Sequence, residues 1–320
     1  MGAYLELCYN GSQKHAIDVE GTESNKMENV KVVGRGLIDY SGCNGSWLEG
    51  QGENFPHQKS HLWFWWVDGL EVAGMTVINS TTWTVYIESC KNIHVHDMLL
   101  IAYRTYADGI MLSNCVDGVV EKSFARTGDD AFEVKSRNAS SQLTDNILFQ
   151  YCAAWTDKAL AYGIVYECHN DTRNVTFKDC SVGFALGDWS PHLGCCCIQL
   201  GEQARPERVN ENITFENIEI FFSQNKALLN CYVGGLPARH DDGSGYIRNI
   251  YFKNITAKLN LGKVLYLETY DDVDCGIEDL YLDNIQSNGI DITSSNIENY
   301  IEQKVVGEYD LSKLHINTRG

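Results

Sequence analysis

The chain has 320 residues, 44% of them hydrophobic, so it can bury a large core and its composition excludes an intrinsically disordered polymer. Its 25 Lys and Arg stand against 43 Asp and Glu, a formal charge of −18, with the basic residues scattered rather than clustered. That balance argues against nucleic acid and anionic membrane surfaces as partners; no run of 18 apolar residues could span a bilayer, and no linker divides residues 1–320 into more than one domain.

In chain order, Met1–Gln13 shows neither a basic stretch nor an apolar one of the kind that marks a secretory signal. Its direct entry into a strand pattern reads as a trimmed or open N-terminal edge. From residue 29 a phrase recurs, in which Asn, Asp or Gly opens a short alternating strand. It begins at Asn29, Gly69, Asn92, Gly118, Asn146, Asn174, Asn212, Asn249 and Asp279, at intervals of 40, 23, 26, 28, 28, 38, 37 and 30 residues. Strands of period two separated by Asn/Gly turns exclude a helical solenoid, and the shorter intervals are below the roughly 40 residues of a propeller blade. They fit one turn of a parallel β-helix, whose coils stack at about 4.8 Å. The spacing therefore predicts an all-β, single-stranded right-handed parallel β-helix of roughly ten or more coils. The opening Asn residues should ladder at one corner, and the long intervals should carry loops. Four prolines against 28 glycines suit such a chain.

Twelve cysteines are too many to ignore, but the chain is too long for a disulfide scaffold. Cys90, Cys115, Cys152 and Cys180 each close a strand-like run, which predicts a stack of buried thiols at one repeat position. Cys195, Cys196 and Cys197 lack the spacing of a zinc site and read as core. No metal and no cofactor is expected.

The chemistry concentrates between residues 106 and 136. Asp108-Gly109 and Gly128-Asp129-Asp130 place Asp108 and Asp129 21 residues apart, close to one short coil, so the two should meet on neighbouring rungs. Adjacent strand residues point to opposite faces, so the Asp129-Asp130 pair reaches one cleft only through a turn or bulge, for which Gly128 gives the freedom. Three carboxylates in one patch push at least one pKa up, and a raised acid beside an ionised base is what glycoside hydrolysis uses. Turn aspartates or a calcium site are the bland readings. Other Asp pairs exist at Asp241-Asp242 and Asp271-Asp272, but only Asp129-Asp130 follows an Asp-Gly one coil earlier.

On Asp108-Gly109, on Gly128-Asp129-Asp130 and on the Trp83-containing run before them, the chain resembles the polygalacturonase-like hydrolases of glycoside hydrolase family 28. The resemblance is good from about residue 28 to 180. It implies Asp129 as general acid, Asp108 and Asp130 holding the attacking water, and inversion at the anomeric carbon. It also implies a secreted, periplasmic or cell-surface setting. The family's Gly-His-Gly and Arg-Ile-Lys are missing: Ala161-Tyr162-Gly163 and Cys197-Ile198-Gln199 stand nearest to them. The stretch from Gly128 to Ser136 also resembles dextranase family 49.

The missing basic motif and the acidic surface point to a neutral glycan as substrate, with a polygalacturonase-type activity as the alternative and a non-catalytic carbohydrate-binding solenoid as a third reading. Trp83, on the coil before Asp108, is the best expected sugar platform, since sugar C–H faces lie against aromatic rings. Lys158, Tyr162 and His192 are further substrate-contact candidates. Carbohydrate is the expected partner, and the chain is expected to act as a monomer or a low-order homo-oligomer.

Overall fold

The computed structural model describes residues 4–6, 15–40, 62–80, 82–187, 194–201, 208–234, 245–269, 275–304 and 313–317. Ten strands stack as one parallel sheet, running from Ile17–Glu20 through Leu62–Trp65, Val85–Glu88, Ile110–Ser113, Phe132–Ser136, Tyr162–Cys168, Gly194–Leu200, Ala227–Val233 and Lys263–Thr269 to Ile301–Lys304. Each is one rung of a coil, and the chain visits two further faces before returning to it. One further face holds Met27–Val33, Val67–Ala73, Lys91–His96, Val116–Glu121 and Thr144–Gln150; the other holds Leu37–Asp39, Thr76–Ile78, Leu99–Ala102, Phe124–Thr127 and Ala153–Thr156. The 14-residue strand Thr172–Ala185 pairs with both Thr144–Gln150 and Ala153–Thr156, so from there the two faces continue as one bent sheet. Successive rungs are parallel, a connection that is right-handed almost without exception. The molecule is the expected right-handed parallel β-helix.

The corners follow from the recurring phrase. Asn29, Asn92, Asn146, Asn174, Asn212 and Asn249 all adopt positive φ between 52° and 57°, a left-handed conformation that Asn tolerates better than most residues. Their amides ladder along the axis: Asn146 Nδ2 donates to Asp117 Oδ1 at 2.7 Å, Asn212 Nδ2 to Asn174 Oδ1 at 3.2 Å and Asn249 Nδ2 to Asn212 Oδ1 at 3.3 Å. One phrase start is corrected. On the coil expected to open at Gly118, the corner residue is Asp117 (φ 58°), and Gly118 pairs with Ile93 and Ile147. Gly118 packs inward, where a Cβ would lie 2.9 Å from Ile147 Cδ1 and 3.1 Å from Leu112 Cδ2. At the C-terminal end Asn288 (φ 53°) and Gly289 (φ 76°) turn the chain back, so that Ile290–Ile292 runs antiparallel to Cys275–Ser287.

The interior is a column of stacked layers. Phe149, Phe177, Phe215 and Phe252 lie face to face at 4.8, 4.9 and 5.3 Å, close to the rung spacing. The thiols stack in two columns rather than one. Cys90 and Cys115 precede paired strands at one corner, and Cys152 and Cys180 directly precede the paired residues Ala153 and Ser181 at another. All four are buried, and burial pushes the Cys90 thiol up to about 12, so it packs as a small neutral group. Cys195, Cys196 and Cys197 are fully buried as well. The loops expected in the long intervals fall largely on residues outside the described ones.

Gly128 acts by size rather than by φ. It is not among the positive-φ glycines; a Cβ there would lie 2.0 Å from the Arg104 carbonyl oxygen and 2.7 Å from that of Tyr103. Gly128→Ala is therefore expected to destabilise the fold by about 1–3 kcal/mol through overpacking and to displace the turn that carries Asp129. Thermal melting checks the first effect and turnover the second.

Candidate active site

The backbone ladder brings the acidic residues together at the turns that lead into the ten-stranded sheet. Gly109 N donates to Asp130 O at 2.8 Å, and Thr84 N donates to Asp108 O at 3.1 Å. The rung partner of Asp108 is thus Asp130, one residue beyond the Asp129 expected from spacing. Asp129 sits in the turn just before it. Its carbonyl accepts from the hydroxyls of Thr127 (2.6 Å) and Thr156 (3.0 Å), and its Oδ1 accepts from Asp130 N at 3.1 Å. Asp108 and Asp130 are 2% and 6% exposed, while Asp129 is the half-buried member that faces outward most.

Period-two alternation then supplies what the sequence reading missed. On Phe132–Ser136 the inward residues are Phe132 and Val134, so Glu133 and Lys135 point out beneath the aspartates. One oxygen each from Asp108, Asp130 and Glu133 lies within 4.8 Å of the others. That is tighter than the roughly 6.5–9.5 Å between the carboxyls of an inverting pair. Lys135, buried like Glu133, reaches Glu133 Oε2 at 3.3 Å and Glu167 Oε2 at 2.8 Å. Arg137 follows at the mouth, 3.8 Å from Glu167.

Five carboxyls thus surround Lys135 and Arg137. Two like charges about 5 Å apart repel by roughly 3 kcal/mol even at an effective dielectric near 20, so the set cannot ionise fully. Burial, joined by repulsion from Glu133, holds Asp108 and Asp130 well above the ordinary aspartate range. Burial also raises Asp129, but Lys135 opposes it and the carboxyl comes to about 7. For Lys135 burial favours the neutral amine, yet Glu133 and Glu167 outweigh it and keep the ammonium charged. The three aspartates titrate as a coupled set held toward the protonated form, with Asp129 at about 7. That is the electrostatic state acid–base chemistry requires.

The substrate-contact candidates divide. Trp83 is half-buried and stacks on Tyr86 at 5.2 Å and 14°, and Tyr86 stacks in turn on Trp63 at 4.3 Å. The Arg137 guanidinium lies 4.4 Å over the Trp83 ring and donates to Tyr86 Oη at 3.2 Å. Lys158 Nζ donates to Thr105 Oγ1 at 3.2 Å, tying the turn after Asp157 to the one before Asp108. Tyr162 is corrected: it points into the coil, is 0% exposed, stacks on Phe132 at 5.4 Å and donates its hydroxyl to the Cys152 and Ser181 carbonyls. It is a core residue, because its strand position is the inward one. The residue on the rung beyond Asp130 is Leu160, whose carbonyl accepts from Ala131 N at 3.0 Å. His192 lies outside the described residues.

The carboxylate cluster stands at the turns of a right-handed parallel β-helix, and sequence comparison places the chain in a family. The sequence profile of Glycosyl hydrolases family 28 matches residues 5–306, and the chain belongs to that family. Over 207 residues it is 27% identical to the probable exopolygalacturonase B of Emericella nidulans, a match that covers 58% of this chain and 42% of that protein. The chain thus spans less than half the length of this relative. Among solved structures, the hyperthermoactive exopolygalacturonase of Thermotoga maritima superposes with a TM-score of 0.63 at 18% identity, covering 91% of this chain and 70% of that one. The family 28 exopolygalacturonase of Yersinia enterocolitica gives a TM-score of 0.48 at 12% identity, covering 99% and 70%. Among the described residues, no helix is long and apolar enough to cross a membrane.

Proposed function

We propose that the chain hydrolyses glycosidic bonds of a uronate polymer of the polygalacturonate type, with Asp129 as general acid. The observation that carries this reading is the pairing of Arg137 with Trp83 at the mouth of the carboxylate cluster. The guanidinium is held over the Trp83 ring and keeps 31% of its side chain exposed, so an aromatic surface orients a cation suited to a sugar carboxylate. The exopolygalacturonase relatives support the same reading. The neutral-glycan expectation fits less well. It rested on a net charge of −18 spread over the whole chain and on a missing Arg-Ile-Lys, but Arg137, just beyond the strand Phe132–Ser136, supplies a partly exposed cation close to the cluster.

In this reading a water held by Asp108 and Asp130 attacks the anomeric carbon. The bond to the leaving oxygen breaks as Asp129 gives that oxygen its proton, and the water's proton passes to the carboxylate that holds it. A polymer too large to enter a cell places the reaction outside it. Comparing polygalacturonate with its methyl ester tests the role of charge. Arg137→Ala should raise KM for the free acid by about tenfold to a hundredfold, the worth of one charge-assisted hydrogen bond, with little change for the ester. Equal losses on both substrates would assign Arg137 to packing.

A further inference from the structure

Glu133 is fully buried, and both of its carboxyl oxygens lack a hydrogen-bond partner, as does Asp108 Oδ1. A buried carboxyl keeps such an arrangement only if something else satisfies it, because orphaned polar atoms are costly. The Lys135 ammonium at 3.3 Å compensates charge on one side of Glu133. On the other side the oxygens of Asp108, Asp130 and Glu133 converge within 4.8 Å of one another. That is close to the separation of two acceptors bridged by one water through two ordinary hydrogen bonds of about 2.8 Å.

A water has two protons and two lone pairs, so among three carboxyls it can donate to only two. The third contact is favourable only when that carboxyl carries a proton and donates. We propose that Glu133 is the third wall of the attacking water's seat, and that the water donates to two of the three carboxyls, Glu133 among them, and accepts from Asp108 or Asp130. This count leaves the water one free lone pair, directed at the anomeric carbon. The groups facing the seat are Asp129 and Asp130 in the turn before it, Lys135 on Glu133's own strand, Asp108 on the preceding coil, and Glu167 on the following one. Arg137 closes the mouth, and the buried Cys197 thiol, held neutral by burial, borders Asp130. The proposal rests on the hydrolytic reading above.

Glu133→Gln keeps the shape and adds an N–H donor but removes the negative charge that accepts from the water. It should lower kcat by roughly tenfold, the scale of one hydrogen bond, while leaving KM near the wild-type value. Losing one neighbouring negative charge should also move the alkaline limb of kcat/KM down by about one pH unit. A second readout needs no substrate. Asp108, Asp129 and Asp130 have raised pKa values in the folded chain, so their stabilising effect is full below the ordinary aspartate value and is lost as pH rises towards 7 and beyond. The wild-type melting temperature should fall over that window, and Glu133→Gln should flatten the fall. Glu133→Asp keeps the carboxyl and should restore the wild-type pH dependence; it carries the test if the Gln variant does not fold. A Gln variant with unchanged kcat, limb and melting slope would overturn the proposal. A wild-type protein inactive on every uronate polymer would instead remove the hydrolytic reading, while the melting slopes would still report on the coupling of Glu133 to the aspartates.

Discussion

Asp129→Asn is expected to lower kcat by about 10²–10⁴-fold while leaving the chain folded. The local environment of Asp129 sets this effect. Burial raises its carboxyl to about 7, so at neutral pH a substantial fraction carries a transferable proton. Asn keeps the shape and the contact with Asp130 N but cannot release a proton to a leaving oxygen. Stability should hold or improve at pH 8, because the variant no longer confines an ionised Asp129 beside Glu133. A carbohydrate-binding solenoid without catalysis would show the opposite pattern, with binding intact and no turnover to lose. Substrates with a good leaving group should recover much of the lost rate, which separates proton delivery from damage to the cleft.

Lys135→Met carries the largest expected effect on stability. Its ammonium is 5% exposed and lies 3.3 Å from Glu133 and 2.8 Å from Glu167, with Asp108 and Asp130 close enough to raise its pKa further. Removing one partner of a buried pair leaves an uncompensated charge and costs about 3–5 kcal/mol. For a chain of this size that corresponds to a melting point lower by on the order of 10 °C. The loss should shrink in mildly acidic buffer, where the carboxyls left behind take up protons. A Met variant that melts like the wild type at both pH values would show that Lys135 does not hold the cluster together.

Much of this molecule was legible in the amino-acid order because a solenoid writes its geometry repeatedly. Asn at each phrase start marks a left-handed corner, and strands of period two mark its faces. Asp108 and the Asp129-Asp130 pair were found because a coil-length separation brings residues together whatever the side chains between them. Register was legible only to within a residue. The phrase placed at Gly118 begins at Asp117, and the rung partner of Asp108 is Asp130, since the interval alone does not say which residue of a turn is paired. Tyr162 was assigned outward for its place near the missing Gly-His-Gly, whereas alternation from Phe132 through the paired register puts it in the core. The same alternation contained the missed signal: Glu133, Lys135 and Arg137 are three charges at every second position directly after the Asp pair. On a solvated strand that pattern means little, and only the burial of Glu133 and Lys135 turns it into part of a site.

The most direct test of the account is reducing-end release by the purified chain from polygalacturonate and from dextran, followed across pH. The account predicts cleavage of polygalacturonate, falling off above about pH 7 as Asp129 loses its proton, and no cleavage of dextran. Hydrolysis of dextran with polygalacturonate left intact would contradict it.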